Sequence, residues 1–253
     1  MNKIMAEVDV KSGLRSILQR IDAACQKRNP ELRCLTPRLV AVSKTKPIEM
    51  IIECYEEGQR HFGENYIQEL AEKANNKDIL EKCKEIQWHY IGNVQSNKLN
   101  KILGIPNLYI IETVDREKIA EALNKSWPKF NENGEKKLNV FIQVNTSGEE
   151  AKGGVEPTNV ISLAKFVIEQ CPNLKFDGLM TIGRFDYNVE DGPNPDFLCL
   201  KRCRDEICQH LEIDWKDVKL SMGMSDDFEH AIELGSTNVR VGSSIFGYRP
   251  RKV

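Results

Sequence analysis

Apolar and polar positions fall into short runs rich in β-branched residues, each followed by a stretch in which apolar residues recur every three or four positions. Eight such runs predict strands: "RLVAVSKT" (38–45), "RHFGEN" (60–65), "IQWHYIG" (86–92), "LYIIETV" (108–114), "LNVFIQVNT" (138–146), "FDGLMTIG" (176–183), "VKLSMGM" (218–224) and "NVRVGSSIF" (238–246). The segments between them carry helix boundaries where caps belong. "PIEMIIECYEEG" opens on Pro47 and closes at Gly58, and "DDFEHAIELG" opens on aspartates and closes at Gly235. Strands alternating with helices argue for a parallel sheet with right-handed crossovers, and eight such units argue for closure into a (β/α)8 TIM barrel. An open doubly wound sheet is the competing topology, and the G-x-G-x-x-G that favours it is absent after the first strand.

Ahead of the first strand, Leu14, Ile17, Leu18, Ile21 and Cys25 stand at helical spacing and predict an amphipathic helix near residues 10–28. Within residues 1–30 it is an extra element packing on the barrel. "NVEDGPNPDF" (188–197) is a turn-rich loop, but no long Pro/Gly/Ser linker divides the chain, so a single domain over 1–253 is expected.

Composition narrows the function. A chain of 253 residues fits one barrel, whose usual length is about 250 residues. With 36 basic and 38 acidic residues the net charge is -2, so nothing electrostatic points to nucleic acid or an anionic membrane, and small-molecule partners are expected. No apolar run approaches the roughly 18 residues of a membrane span, and the first 30 residues lack a signal-peptide apolar core. Glu7, Asp9 and Asp22 argue against a transit peptide; the expected compartment is cytoplasmic, and a mitochondrial pool is compatible with it. Eight cysteines in a chain of this size with no secretion signal are expected as reduced thiols. Cys199, Cys203 and Cys208 share a helical segment with His210 and fit packed hydrophobes better than a zinc site. The sequons at Asn124 and Asn145 are idle outside the secretory pathway.

In such a barrel the C-terminal ends of the strands form the site. Those ends carry Lys44, Asn65, His89 with Gly92, Glu112 with Thr113, Asn145, Thr181, Ser225 and Arg240. Solvation of strand ends accounts for several of them, but not for an arginine inside a strand. In "NVRVGSS" Val239 and Val241 share one face and Arg240 takes the other, so valines packed on the outer helices point Arg240 into the barrel. A buried guanidinium needs an acceptor or an anion; a structural partner such as a glutamate is one alternative and a ligand anion the other. Gly242, Ser243 and Ser244 follow Arg240, and the preceding unit ends in "GMSDD" where a helix begins. Loops after strands seven and eight of a barrel frequently bind phosphate through backbone N–H groups.

Closure places strand one beside strand eight and brings Lys44 near Arg240. A partly desolvated lysine beside a fixed cation has a lowered pKa and supplies more neutral amine to attack carbonyls, while an ammonium beside a phosphate is the competing role. Lys44 and Lys46 have the same strand parity. Pro47 restricts Lys46 to extended geometry and opens the next helix, so Lys46 is expected as a solvated rim charge and Lys44, still on the strand, as the reactive amine.

The motifs "AVSKTKP", "FGENYIQE", "WHYIGNVQSNK", "GLMTIG" and "LSMGMSDDFEHAIELGSTNVRVGSSIFG", over residues 38–247, resemble the pyridoxal 5′-phosphate (PLP) homeostasis proteins, most of all their eukaryotic branch. That resemblance implies a fold like the N-terminal domain of alanine racemase, with PLP held at the mouth as a Schiff base on Lys44 and Arg240 facing the pyridine nitrogen. It further implies that Ser225, Gly242 and Ser243 bind the phosphate, that Asn65 lies near the ring and that His89 lines the pocket. "KGGVEP" at 152–157 and the "RKV" tail depart from the family pattern and leave the cofactor motifs intact.

A permanently charged arginine disfavours protonation of the ring nitrogen and weakens carbanion chemistry. Racemisation also needs two positioned acid/base groups, and the resemblance implies that the second comes from a further domain, which this chain is expected to lack. The expectation is therefore a non-catalytic, monomeric PLP carrier that buffers the cofactor in vitamin B6 homeostasis or delivers it to apo-enzymes. A weak PLP-dependent amino-acid racemase, with Tyr248 or a pocket residue as second base, is the alternative; a Schiff-base lyase acting on a phosphorylated sugar is a third.

Overall fold

The computed structural model describes residues 8–131, 134 and 136–248. The two ends of the expected 1–253 domain and the "RKV" tail lie outside them.

Eight parallel strands close in sequence order into a barrel. They are β1 (Arg38–Val42), β2 (His61–Glu64), β3 (Gln87–Tyr90), β4 (Leu108–Val114), β5 (Leu138–Gln143), β6 (Leu174–Met180), β7 (Lys219–Ser221) and β8 (Asn238–Val241). The α-helices of the described residues are α1 (Val10–Lys27), α2 (Ile48–Glu56), α3 (Ile67–Ala74), α4 (Lys77–Lys82), α5 (Leu99–Leu103), α6 (Glu117–Ser126), α7 (Val160–Gln170), α8 (Pro195–Leu211), α9 (Phe228–Glu233) and α10 (Ser243–Phe246). Closure comes from β1 pairing with β8, with Leu39 opposite Val239 and Val40 opposite Arg240.

All eight strands lie where the alternation predicts them, but most end earlier than the apolar runs suggest. β1 stops at Val42, and Lys44 sits in the turn beyond it rather than on the strand. The chain leaves the ladder because Ser43 O accepts from Lys46 N at 3.0 Å and Thr45 adopts φ 64°, a left-handed conformation unusual for a β-branched residue. β7 ends at Ser221, and Gly223 with φ 93° turns the chain toward α9.

The apolar core lies between the strands and the outer helices, and a small separate cluster of Ile110, Phe141 and Met180 fills part of the barrel interior. Much of the remaining interior is polar. Helix α1 lies over α9 and α10: Arg20 makes a bidentate pair with Glu229 at 2.8 and 2.7 Å, and a Cβ added at Gly13 would stand 3.0 Å from the Ile245 carbonyl oxygen. Its buried stripe is Val10, Leu14, Ile17, Ile21 and Ala24: Leu14, Ile17 and Ile21 lie on it as the 3.6-residue period predicts, whereas Leu18 is exposed and Cys25 only partly buried, with Ala24 in its place.

Candidate functional site

A cavity of about 490 Å³ opens at the C-terminal ends of the strands, within the roughly 300–1,000 Å³ usual for small-molecule pockets. Of the residues expected in the site, Lys44, Asn65, Ser225, Arg240, Gly242 and Ser243 all line it. The apolar part of the wall comes from Val42, Ile91, Met180, Ile182, Phe185 and Met224, which the polarity of the strand ends does not mark.

His89 does not line the cavity. It is fully buried in the barrel interior, where Nδ1 lies 2.6 Å from Glu112 Oε1 and Nε2 lies 2.9 Å from His61 Nδ1. Its expected contact with a ligand is thus replaced by a role in the polar interior, and Ile91, two residues further along the same strand direction, takes the lining position. Lys46 also differs from expectation. It is half-buried, lines the cavity, and donates from Nζ to the carbonyl oxygens of Gly247 at 2.8 Å and Tyr248 at 3.3 Å. The approach of Gly247 and Tyr248 to the first βα loop shields it in part from solvent.

Arg240 is buried and projects into the barrel, donating to Ser221 Oγ from Nη1 and to the Thr181 carbonyl oxygen from Nη2, both at 2.8 Å. Ser221 has one proton and two lone pairs. It donates to Glu112 Oε2 at 2.6 Å and accepts from Arg240 and from Asn238 Nδ2 at 3.1 Å, so its orientation is fully specified. Burial pulls the Arg240 guanidinium below its ordinary value, and the Glu112 and Asp227 carboxylates oppose that. Burial also opposes ionisation of Glu112, but hydrogen bonds from His89 and Ser221 and the charge of Arg240 outweigh it and hold the carboxyl below its usual range. The glutamate partner anticipated for a buried arginine therefore exists, one hydroxyl away, and Arg240 faces the cavity as well.

An ionised Glu112 fixes the chain of tautomers. It can only accept, so His89 carries its proton on Nδ1, and His89 Nε2 accepts from His61 Nδ1. Burial lowers the His89 pKa and, as the largest cause with the charges of Arg38 and Lys219 behind it, brings His61 down to about 3 from an ordinary 6.5. A histidine with a depressed folded pKa leaves the unfolded chain to bind the proton first. The His61 contribution to stability is thus complete above pH 6.5 and lost as pH falls toward 3. Replacing His61 by Asn is expected to reduce the drop in urea midpoint between pH 7 and pH 4.5; equal drops in both proteins would show that His61 is not the titrating group.

Two loops converge on the opposite wall. The Gly242 amide donates to Ser225 Oγ at 3.2 Å, which ties the loop after β8 to the loop after β7, and Asp227 Oδ1 accepts from the Met224 amide at 2.7 Å. A Cβ at Gly242 would stand 3.1 Å from the Val42 carbonyl oxygen, so a side chain there would press on the end of β1. At the β2 end, Asn65 carries a buried Oδ1 with no hydrogen-bond partner among the described residues. Its backbone is pressed against Gly92, where a Cβ would come within 1.9 Å of the Asn65 carbonyl oxygen. The site therefore combines an amine, a guanidinium, an unanswered amide acceptor and two Ser/Gly loops at one end of the barrel.

Among the described residues no group of His, Cys, Asp and Glu is arranged to hold a metal ion, and Cys203 and Cys208 are buried in the packing of α8. No described helix is long and apolar enough to cross a membrane.

Fold and site define the class of racemase-type barrels, and the model of the family "Alanine racemase, N-terminal domain" matches residues 18–250. Within that class the chain belongs to the pyridoxal phosphate homeostasis protein family. The Homo sapiens pyridoxal phosphate homeostasis protein is 51% identical over 244 residues, covering 96% of this chain and 88% of its own. PipY of Synechococcus elongatus PCC7942, solved with PLP bound, superposes with a TM-score of 0.75 at 27% identity over 94% of this chain and 100% of its own. An alanine racemase from Clostridium difficile 630 superposes with a TM-score of 0.70 over 95% of this chain and 61% of its own; at 12% identity that likeness is one of fold alone.

Proposed function

We propose that this protein binds PLP at the barrel mouth, holds it reversibly on Lys44, and buffers it or hands it to apo forms of PLP-dependent enzymes in intracellular vitamin B6 homeostasis, without catalysing a reaction of its own. The observation that carries the reading is the convergence of Lys44, Arg240, Asn65 and the Ser225/Gly242/Ser243 loops on one cavity. The relatives' names and the PLP bound to PipY support it. Bound PLP supplies an aldehyde, which condenses with an amine to a Schiff base with release of water and is returned by hydrolysis.

The residues present suit that group. Lys44 supplies the amine. Ser225, Gly242 and Ser243 take the phosphate, since hydroxyls and backbone amides at the start of a helical turn satisfy anionic oxygens without a protein counter-charge. The orphaned Asn65 acceptor suits the ring hydroxyl, and Ile91, Met180 and Met224 exclude water from the ring. Arg240 would face the pyridine nitrogen as a permanent cation, which would keep a proton off that nitrogen and withhold the electron sink that carbanion chemistry needs. Tyr248, the second base that a racemase reading would call on, stands 86% exposed and does not line the cavity.

Borohydride reduction of the PLP-loaded protein followed by peptide mapping is expected to place a phosphopyridoxyl group on Lys44; a label on Lys46 would overturn the assignment. In heavy water the loaded protein is expected to exchange the α-hydrogen of amino acids no faster than free PLP, and faster exchange would favour the racemase.

A further inference from the structure

Behind the cavity, outside its lining, lies a buried lysine that the proposed function does not use. Lys73, on α3, is 6% exposed, and its Nζ donates to three acceptors: the Ser43 carbonyl oxygen at 2.8 Å, Glu64 Oε1 at 2.7 Å and Glu69 Oε1 at 2.6 Å. Three donated bonds require three N–H groups, which only the ammonium form has. The same two carboxylates reach the turn that carries Lys44 from both sides. Ser43 Oγ donates to Glu64 Oε1 at 2.7 Å, and the Thr45 amide donates to Glu69 Oε1 at 2.5 Å. Both chain neighbours of Lys44 are therefore fixed to one ion cluster, in which Lys73 and Glu64 are buried and Glu69 is partly exposed.

We infer that Lys73, with Glu64 and Glu69, is a positioning device for Lys44: it holds the Ser43–Lys44–Thr45 turn in the conformation that directs the Lys44 amine at a ligand carbonyl. The backbone gives the reason that a device is needed. Thr45 sits at φ 64°, a left-handed conformation that is strained for a β-branched residue and persists only when its surroundings over-determine it. Without the Glu69 bond the turn relaxes toward extended backbone, and the side chain of Lys44 swings with it. The "FGENYIQE" motif acquires a second meaning: its two glutamates grip the preceding loop, while Asn65 between them lines the cavity. Lys73 touches neither cavity nor ligand, so it acts through Lys44.

The inference rests on Lys44 being the PLP-reactive amine, and the test separates the two. PLP and pyridoxine 5′-phosphate, which has an alcohol in place of the aldehyde, are titrated into the natural protein, Lys73→Met and Glu69→Ala, with borohydride labelling of the natural protein as reference. With the label on Lys44, both variants are expected to lose about tenfold or more in PLP affinity, the scale of a misplaced reacting group, while pyridoxine 5′-phosphate affinity changes less than about twofold. Equal losses for the two ligands, or none, overturn the positioning role alone. A label elsewhere in the natural protein overturns the Lys44 reading, and the role of Lys73 with it. Should Lys73→Met not fold because Glu64 is left buried and unpaired, the two-ligand comparison in Glu69→Ala, whose carboxylate is partly exposed, decides by the same criterion.

Discussion

Lys44→Ala protein mixed with PLP and desalted is expected to be colourless and to retain no borohydride-fixed label. The turn after β1 offers one other amine, Lys46, and its Nζ is engaged by the Gly247 and Tyr248 carbonyl oxygens. Exchanging those bonds for a covalent link would detach the C-terminal segment from the first βα loop. In the proposed site the Ser225 and Gly242 loops would hold the phosphate without help from Lys44, so the variant is expected to bind PLP reversibly, with affinity weaker by about two orders of magnitude, a modest share of what an oriented covalent step contributes. Absorbance and equilibrium dialysis report the two parts separately. A label that persists on Lys46, or affinity equal to that of the natural protein, would assign the carbonyl chemistry elsewhere.

The eight strands were legible because each crossover helix forces the apolar period to change from 2 to 3.6, and that change survives in the sequence even where a strand is only three residues long, as in β7. Strand ends were less so. Apolar residues continue past the last ladder bond because they line the cavity, as Met224 does, and a run of such residues looks like continued strand. Arg240 was legible as an inward residue since alternation needs only local parity. His89 obeys the same parity, but its depth depends on the stagger of β3 against β2 and β4, where it lies opposite Gly63 and Ile110 with a register shift beside it. Stagger is a property of the closed barrel, and one strand's sequence does not encode it. Lys73 was invisible for a related reason: a lysine four residues after a glutamate on a helix usually marks a solvated face, and here only the packing of α3 against the first βα loop buries it.

Arg240→Met is expected to destabilise the ligand-free protein by about 3–5 kcal/mol, more than its lost packing explains, because it leaves Glu112 buried without its counter-charge. Ser221 would keep its bond to Glu112, but a hydroxyl does not replace a cation, and the Thr181 carbonyl oxygen would lose its donor. In the natural protein the Glu112 carboxyl has a depressed pKa, so its contribution is present above the unfolded value and lost as pH falls through the folded one. Removing Arg240 takes away one of the influences that hold it down, while the burial that pushes it up remains. The penalty in the variant should then shrink as the medium is acidified, because a protonated Glu112 no longer needs a partner. The double variant Arg240→Met/Glu112→Leu removes both charges, and urea unfolding should show it to be less destabilised than the two single changes added together. Simple additivity, or an Arg240→Met penalty that grows as pH is lowered, would mean that Glu112 and Arg240 are not a coupled pair.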